Sequence, residues 1–308
     1  MNRLKRFAQS FGLGRLVCLI LLAGLMALRI ANPAPLESMR VRTFDLYQSM
    51  KPRVATLQPA VIVDIDEASL KAYGQWPWPR TLLADLVTKL SRLGSAVITF
   101  DIIFAEPDRM SPAIAAESFR NLDPETRAQL LKLPSNDDVL ADVMRRSRVV
   151  IGESGFHLAT PPSGPRPPGA GFAMMGPDPR RFLINFPGVI ANVPALEQAA
   201  AGRGMVTIQS EPDGIVRRVP MVTLAQDNLV PAISLEMLRV VTGAGAIRIK
   251  TDAAGVTSVA IPGLELPTDR NAQLWVHYAP YDANRYVSAK DVLEDRVPPG
   301  RIARKLVL

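Results

Sequence analysis

The stretch Val61–Arg80, VIVDIDEASLKAYGQWPWPR, decides the fold of this 308-residue chain. Ala60 to Ile65 is an apolar run rich in valine and isoleucine, as expected of a strand buried on both faces of a parallel sheet. A helix is predicted to start near Pro79, a favoured first helical position, with Leu82, Leu83, Leu86, Val87, Leu90 and Leu93 on one face and Gly94 capping its end. Ala96 to Phe104 is again strand-like. Strand, helix and strand together predict a right-handed crossover between parallel strands.

Further along, Ser135 and Asp138 have the spacing of a capping box, with Val139, Leu140, Val143 and Met144 facing inward and Val149 to Glu153 as the next strand. Seven prolines and four glycines between Pro161 and Pro179 exclude a helix or a central strand and mark a loop or a boundary between lobes at 31–160 and 180–308. Met205 to Gln209 and Val216 to Leu224 flank Glu211-Pro212-Asp213-Gly214 and predict a hairpin. A helix is expected over Pro231 to Thr242, burying Ile233, Met237, Val240 and Val241 and ending at Gly243. Short strands near Ile247, Val256, Leu274 and Lys305 and a short helix at Ser288 to Glu294 complete the pattern. The expected fold is α/β, with a mixed, largely parallel sheet, flanking helices and hairpin additions, preceded by one transmembrane helix.

Arg3, Lys5, Arg6 and Arg15 precede an apolar run from Leu16 to Leu28, closed by Arg29. Phe11 to Ile30 has the length of one bilayer crossing. A cleaved signal peptide is the other reading, but no Ala-x-Ala site follows. The basic flank then stays in the cytoplasm and residues 31–308 lie outside, in the periplasm of an inner-membrane protein. The first thirty positions hold five basic residues and no acid, so the net charge of +7 shrinks to +2 in the remainder, with 31 basic against 29 acidic residues. That balance gives no reason to expect nucleic acid as a partner. The only cysteine, Cys18, lies inside the apolar span, so no intramolecular disulfide can hold the exported part.

The first stretch, together with FDIIFAEPD at Phe100–Asp108, resembles the type-two CHASE domain, an extracytoplasmic sensory module of bacterial membrane receptors. PLESMRVRTFDLYQ after the anchor, Asn192-Val193-Pro194 leading to Gly204, DGIVRRVP at Asp213–Pro220, PAISLEMLR, and the run from VSAKDVL to RIARKLVL follow in that family's order. The resemblance implies a sensor that passes a stimulus, a small molecule or a protein, through the membrane to a cyclase or histidine kinase effector beyond these residues. The complete receptor is expected to be a homodimer.

Asp64 and Asp66 lie at i and i+2 near the first strand's end and Asp101 in the second, so parallel strands would gather them at the carboxyl edge of the sheet. Such carboxylates repel unless a cation, a proton or an arginine compensates. One reading is a divalent cation and an exported phosphohydrolase of Asp-x-Asp type. The reading preferred here is structural, with Asp64, Asp66 and Asp101 accepting hydrogen bonds from backbone or from Arg80. Trp76 and Trp78 alternate with prolines and present either stacking plates for a ligand or a cover for the core. Arg217 and Arg218, adjacent on a strand, should face opposite ways, one to an acid and one to solvent. His157 and His277 stand apart with no zinc spacing, and no dinucleotide or P-loop fingerprint is present. The sequence names no cofactor. A sensor domain without catalysis is the expected function; a hydrolase using Asp64 and Asp66, or a protein-binding envelope module, are the competing ones.

Overall fold

A computed structural model describes residues 13–31, 33–54, 57–161 and 166–308. The cytoplasmic flank expected at Arg3, Lys5 and Arg6 lies outside the described residues. Two compact bodies result, one from the first 55 residues with 277–280, the other from 56–276 with 281–308. In the first body, α1 (Leu13–Ala31) holds an 18-residue window, Gly14–Ala31, of mean hydropathy 2.0 with none of it buried. It is long and apolar enough to cross a membrane. Pro33, with its fixed φ, leads into α2 (Ala34–Met50). The Tyr278 amide donates to Gln48 Oε1 at 2.9 Å and His277 Nε2 lies 3.4 Å from the Lys51 carbonyl, so 277–280 docks at the end of α2.

The second body begins with β1 (Ala60–Asp64), α3 (Glu67–Tyr73), α4 (Arg80–Arg92) and β2 (Val97–Phe100). The α4 face matches its sequence pattern: Leu83, Leu86, Val87 and Leu90 are buried, Leu82 and Leu93 partly so. Each fully buried side chain of this kind contributes about 1.5–3 kcal/mol. Gly94 takes φ +81° and the Ser95 amide returns to the Leu90 carbonyl, closing the helix as expected. Strand β2 is shorter than the sequence suggests, because the chain leaves the sheet at Asp101. Two short helices follow, α5 (Pro112–Ser118) and α6 (Pro124–Leu130), then α7 (Asn136–Arg145) with Ser135 as its N-cap, its hydroxyl accepting from the Asp138 amide.

Strand β3 (Val149–Phe156) comes next, followed by β4 (Gly171–Met175) inside the proline-rich stretch that read as loop. The five residues of β4 contain no proline and occupy a sheet edge, where the flanking prolines disturb no ladder. Then come β5 (Asn185–Phe186), β6 (Gly188–Ile190), α8 (Pro194–Ala199), β7 (Gly202–Met205), β8 (Arg218–Pro220), β9 (Val222–Ala225) and β10 (Asn228–Pro231). The chain continues through α9 (Ile233–Thr242), β11 (Ala246–Thr251), β12 (Val256–Ile261), β13 (Leu264–Pro267) and β14 (Gln273–Trp275), and closes with β15 (Tyr286–Ser288), α10 (Ala289–Leu293) and β16 (Leu306–Val307).

The main sheet is largely parallel, in the order β15-β1-β16-β2-β3-β6, with β7 also on β3 and only β6 antiparallel. Strands β1 and β2 are parallel, as expected of a crossover, but not neighbours: β16 runs between them. The pattern could not show this, since two residues have no period. Helices α4, α7, α8 and α10 cover one face around Val61, Ile98, Leu140, Ile151, Leu196 and Val307; α9 covers the other through Met237 against Val97 and Val150. Strands from 188–190, 202–205, 286–288 and 306–307 thus all join the first sheet, so a division at 161–179 does not separate the strands.

The hairpin expected around Glu211–Gly214 is corrected. The Gly214 amide does close a turn on Glu211, but β7 pairs in parallel with β3 and β8 pairs with β14. A turn fixes where the chain reverses, not which strands pair. The next tight hairpin along the chain is β9–β10, whose loop residues Gln226 and Asp227 both have positive φ, 45° and 64°. Smaller sheets are β10-β9-β5 and β13-β12-β11-β4.

Val307 is 1% exposed between β1 and β2. Val307→Asp buries an unpaired carboxylate there and should lower the unfolding free energy by about 3 kcal/mol or more, read as the urea midpoint of the purified chain.

Candidate functional site

A cleft of about 630 Å³ opens beyond the ends of β1 and β2, lined by Ile65, the Trp76–Arg80 turn and the segment Asp101–Arg109. Four of the residues singled out in the sequence, Trp76, Trp78, Arg80 and Asp101, meet in its wall. Asp64, Asp66 and Arg217 do not line it.

Trp78 is 1% exposed, donates its indole N–H to the Gly74 carbonyl at 2.8 Å and meets Tyr73 edge-on, with centroids 5.8 Å apart. It is core. Trp76 is 39% exposed, its ring centroid 6.4 Å from that of Trp78, so the inner ring backs the outer one. One plate therefore covers the core and the other is available for stacking.

Arg80 is 8% exposed, and its partners are not the strand-end aspartates. Its backbone N–H donates to Asp108 Oδ2 at 2.7 Å, its Nη2 reaches the Glu106 carbonyl at 3.3 Å, and its guanidinium lies 4.5 Å above the Phe104 ring. Its Nε stands 3.3 Å from Asp137 Oδ1, an ion pair too oblique for a hydrogen bond. Asp137 Oδ2 accepts from the Asp108 amide at 2.9 Å, and Asn136 donates to Asp108 at 2.9 Å. Asn192 holds the other end of the loop, accepting from the Phe104 amide and donating to the Gly152 carbonyl, both at 2.8 Å. Asp108, Asn136, Asp137 and Asn192 were not singled out as site residues in the sequence; Asp108 and Asn192 stood only as members of the family segments, and the Asn-Asp-Asp run after Ser135 reads equally well as an acidic first helical turn.

The acidic strand ends are dispersed. Asp64 and Asp101 are exposed. Asp66 caps α3, accepting from the Ser69 amide at 2.8 Å, the Ser69 hydroxyl at 2.6 Å and the Ser288 hydroxyl at 3.0 Å. The Ser69 hydroxyl above all holds its carboxyl below the usual range. Among the described residues no three His, Cys, Asp or Glu side chains gather to hold a metal ion.

Arg217 is 1% exposed and grips Asp213 with two parallel bonds of 2.9 and 2.8 Å. Arg218 does not turn to solvent as expected. It grips Glu211 at 2.8 and 2.9 Å and lies 5.1 Å over the Trp275 ring. Both arginines thus secure the Glu211–Gly214 turn to β8.

A model of the CHASE2 domain family matches residues 17–308, from the apolar helix to the last strand. The chain belongs to the CHASE2 family. CHASE2 domains are extracytoplasmic sensory modules rather than catalytic ones. Comparison with curated proteins and with solved structures gave no match. The CHASE2 segments recognised in the sequence are in contact here: the Phe104 carbonyl accepts from the Val193 amide at 2.8 Å while Asn192 holds the Phe104 amide, so FAEPD and Asn-Val-Pro form one brace.

Removing the Arg80 guanidinium leaves Asp137 buried without its ion-pair partner, while the backbone N–H that Asp108 accepts from remains, so Arg80→Ala should cost about 3–5 kcal/mol in a urea melt, whereas Asp101→Ala leaves the midpoint unchanged. A pH series gives a second check. Chiefly through the Arg217 side-chain hydrogen bond, the Asp213 pKa falls from 3.8 to about 2 in the folded chain. A depressed pKa stabilises above the unfolded value and the gain is lost as pH drops through the folded one. Between pH 4 and pH 2 the parent should therefore lose stability faster than Asp213→Asn.

Proposed function

We propose that this chain is the sensing part of a membrane signalling receptor, anchored by α1 with residues beyond Pro33 outside the cytoplasmic membrane, in the periplasm. A stimulus, small molecule or protein, biases it toward one of two arrangements and so drives a cytoplasmic effector, a cyclase or histidine kinase, in a homodimer. The observation that carries this reading is the family match, which takes in the apolar helix and the α/β body together. The cleft under Trp76 supports it as the stimulus site: an exposed aromatic plate and the exposed Asp101 stand on a wall made rigid by Arg80. A ligand moves such a receptor only through a difference in affinity between its two states. The hydrolase reading finds no support in the geometry, since Asp66, the second carboxylate of its Asp-x-Asp pair, is engaged as a helix cap.

Topology tests the proposal. With Cys18 replaced by serine and a single cysteine introduced at the exposed Ser210, a membrane-impermeant maleimide should label intact spheroplasts as fully as lysed ones. Labelling only after lysis would place the body in the cytoplasm and overturn the sensor reading.

A further inference from the structure

A second cavity, of about 610 Å³, lies away from the Trp76 cleft, between the start of the 166–175 segment, β7 and the β9–β10 hairpin. Its most telling residue is Arg203, in the middle of β7. On either side of it Gly202 and Gly204 face α9 at a separation no side chain would allow: a Cβ at Gly202 would meet Glu236 Oε1 at 2.2 Å, and one at Gly204 would meet the Ile233 Cα at 2.4 Å. Strand alternation then sends Arg203 to the opposite face, the one carrying Ile151 and Glu153, where it enters the cavity wall.

The two other partly buried arginines around it are matched. Arg166 bonds both Glu153 and Glu197, the latter at 2.8 and 3.1 Å, and Arg239 holds Glu236 with two bonds of 2.7 Å. Among the described residues Arg203 makes no ion pair, and its one hydrogen bond runs from Nη2 to the Pro167 carbonyl at 2.6 Å. Burial pulls its pKa below the ordinary value. The partly buried group is nevertheless neutral, Arg166, Arg203 and Arg239 against Glu153, Glu197 and Glu236, and Arg180 and Asp227 add one charge of each sign to the lining. A bare anion on Arg203 would leave a net negative charge in a half-buried place. A ligand carrying both signs would not. The cavity offers carboxylates to the positive end, in Glu153 and in Asp227 at its mouth, and an apolar wall in Phe172, Met174 and Leu229.

We propose that this cavity binds a small zwitterion with an apolar side group, an α-amino acid or short peptide, its carboxylate on the Arg203 fork and its ammonium toward Glu153 and Asp227. The site does not depend on the Trp76 cleft or on signalling, since binding is read on the purified chain alone.

Titration calorimetry of residues 1–308 in detergent with three probes tests it: L-phenylalanine, 3-phenylpropanoate, which lacks the ammonium, and phenethylamine, which lacks the carboxylate. Saturable binding of phenylalanine at least about tenfold tighter than either single-charge analogue is expected, as for loss of a hydrogen bond between charged groups. Arg203→Gln should weaken phenylalanine by about tenfold or more. Met174→Trp, on the exposed edge strand, should fill the cavity and weaken binding with the melting temperature unchanged, which guards against a folding defect in the arginine variant. Equal binding of 3-phenylpropanoate, binding of none of the probes, or binding indifferent to Met174→Trp would overturn the assignment.

Discussion

The main sheet depends on a strand of two residues. Leu306 and Val307 fill the space between β1 and β2: the Leu308 amide donates to the Val61 carbonyl, the Val63 amide to the Leu308 carbonyl, and the Ala96 amide to the Lys305 carbonyl. Without these bonds the inner edges of both strands would be open, and open edges in a buried sheet carry unpaired backbone groups. The helices of one face rest on the same place, since Val307 and Ile302 belong to the core of α4 and α7. Closing a loop of this length adds little entropy beyond that of a shorter one, but contacts so far apart in sequence make folding slow.

What the sequence made legible was local. The caps at Gly94, Ser135 and Gly243 and the α4 face follow from single residues or a 3.6-residue period, and the structure shows each. The position of β16, the parallel course of β7 and the helices α3, α5 and α6 were not legible, because they depend on tertiary contacts or on segments of one or two turns. The same divide runs through the cleft. Trp76, Trp78, Arg80 and Asp101 do come together, but the partner of Arg80 was sought among the strand-end aspartates, whereas Asp108 and Asp137 reach it from a loop and a helix start that no spacing links to it.

Arginine recurs in the ion pairs that reach the interior of this domain: Arg80, Arg166, Arg217 and Arg239 each meet a carboxylate. A planar fork can satisfy two oxygens or a carboxylate and a carbonyl at once, which a lysine ammonium on a flexible stem does less well. The recurring CHASE2 segments accordingly look less like a set of reactive groups than like a brace. FAEPD is held at Phe104 by Asn192 and Val193 and at Asp108 by Asn136 and the Arg80 amide, and the cleft wall inherits that stiffness.

The chain has only three tryptophans, and their surroundings differ. Trp78 is sealed in the core, Trp275 lies beneath the Arg218 guanidinium, and Trp76 stands 39% exposed at the cleft. Their emission is therefore separable: a soluble quencher reaches Trp76 first, and the Trp76–Trp78 pair, with centroids 6.4 Å apart and rings inclined by 53°, is close enough for the two indoles to couple in near-ultraviolet circular dichroism. The domain carries its own optical probe at the cleft, one that needs no label.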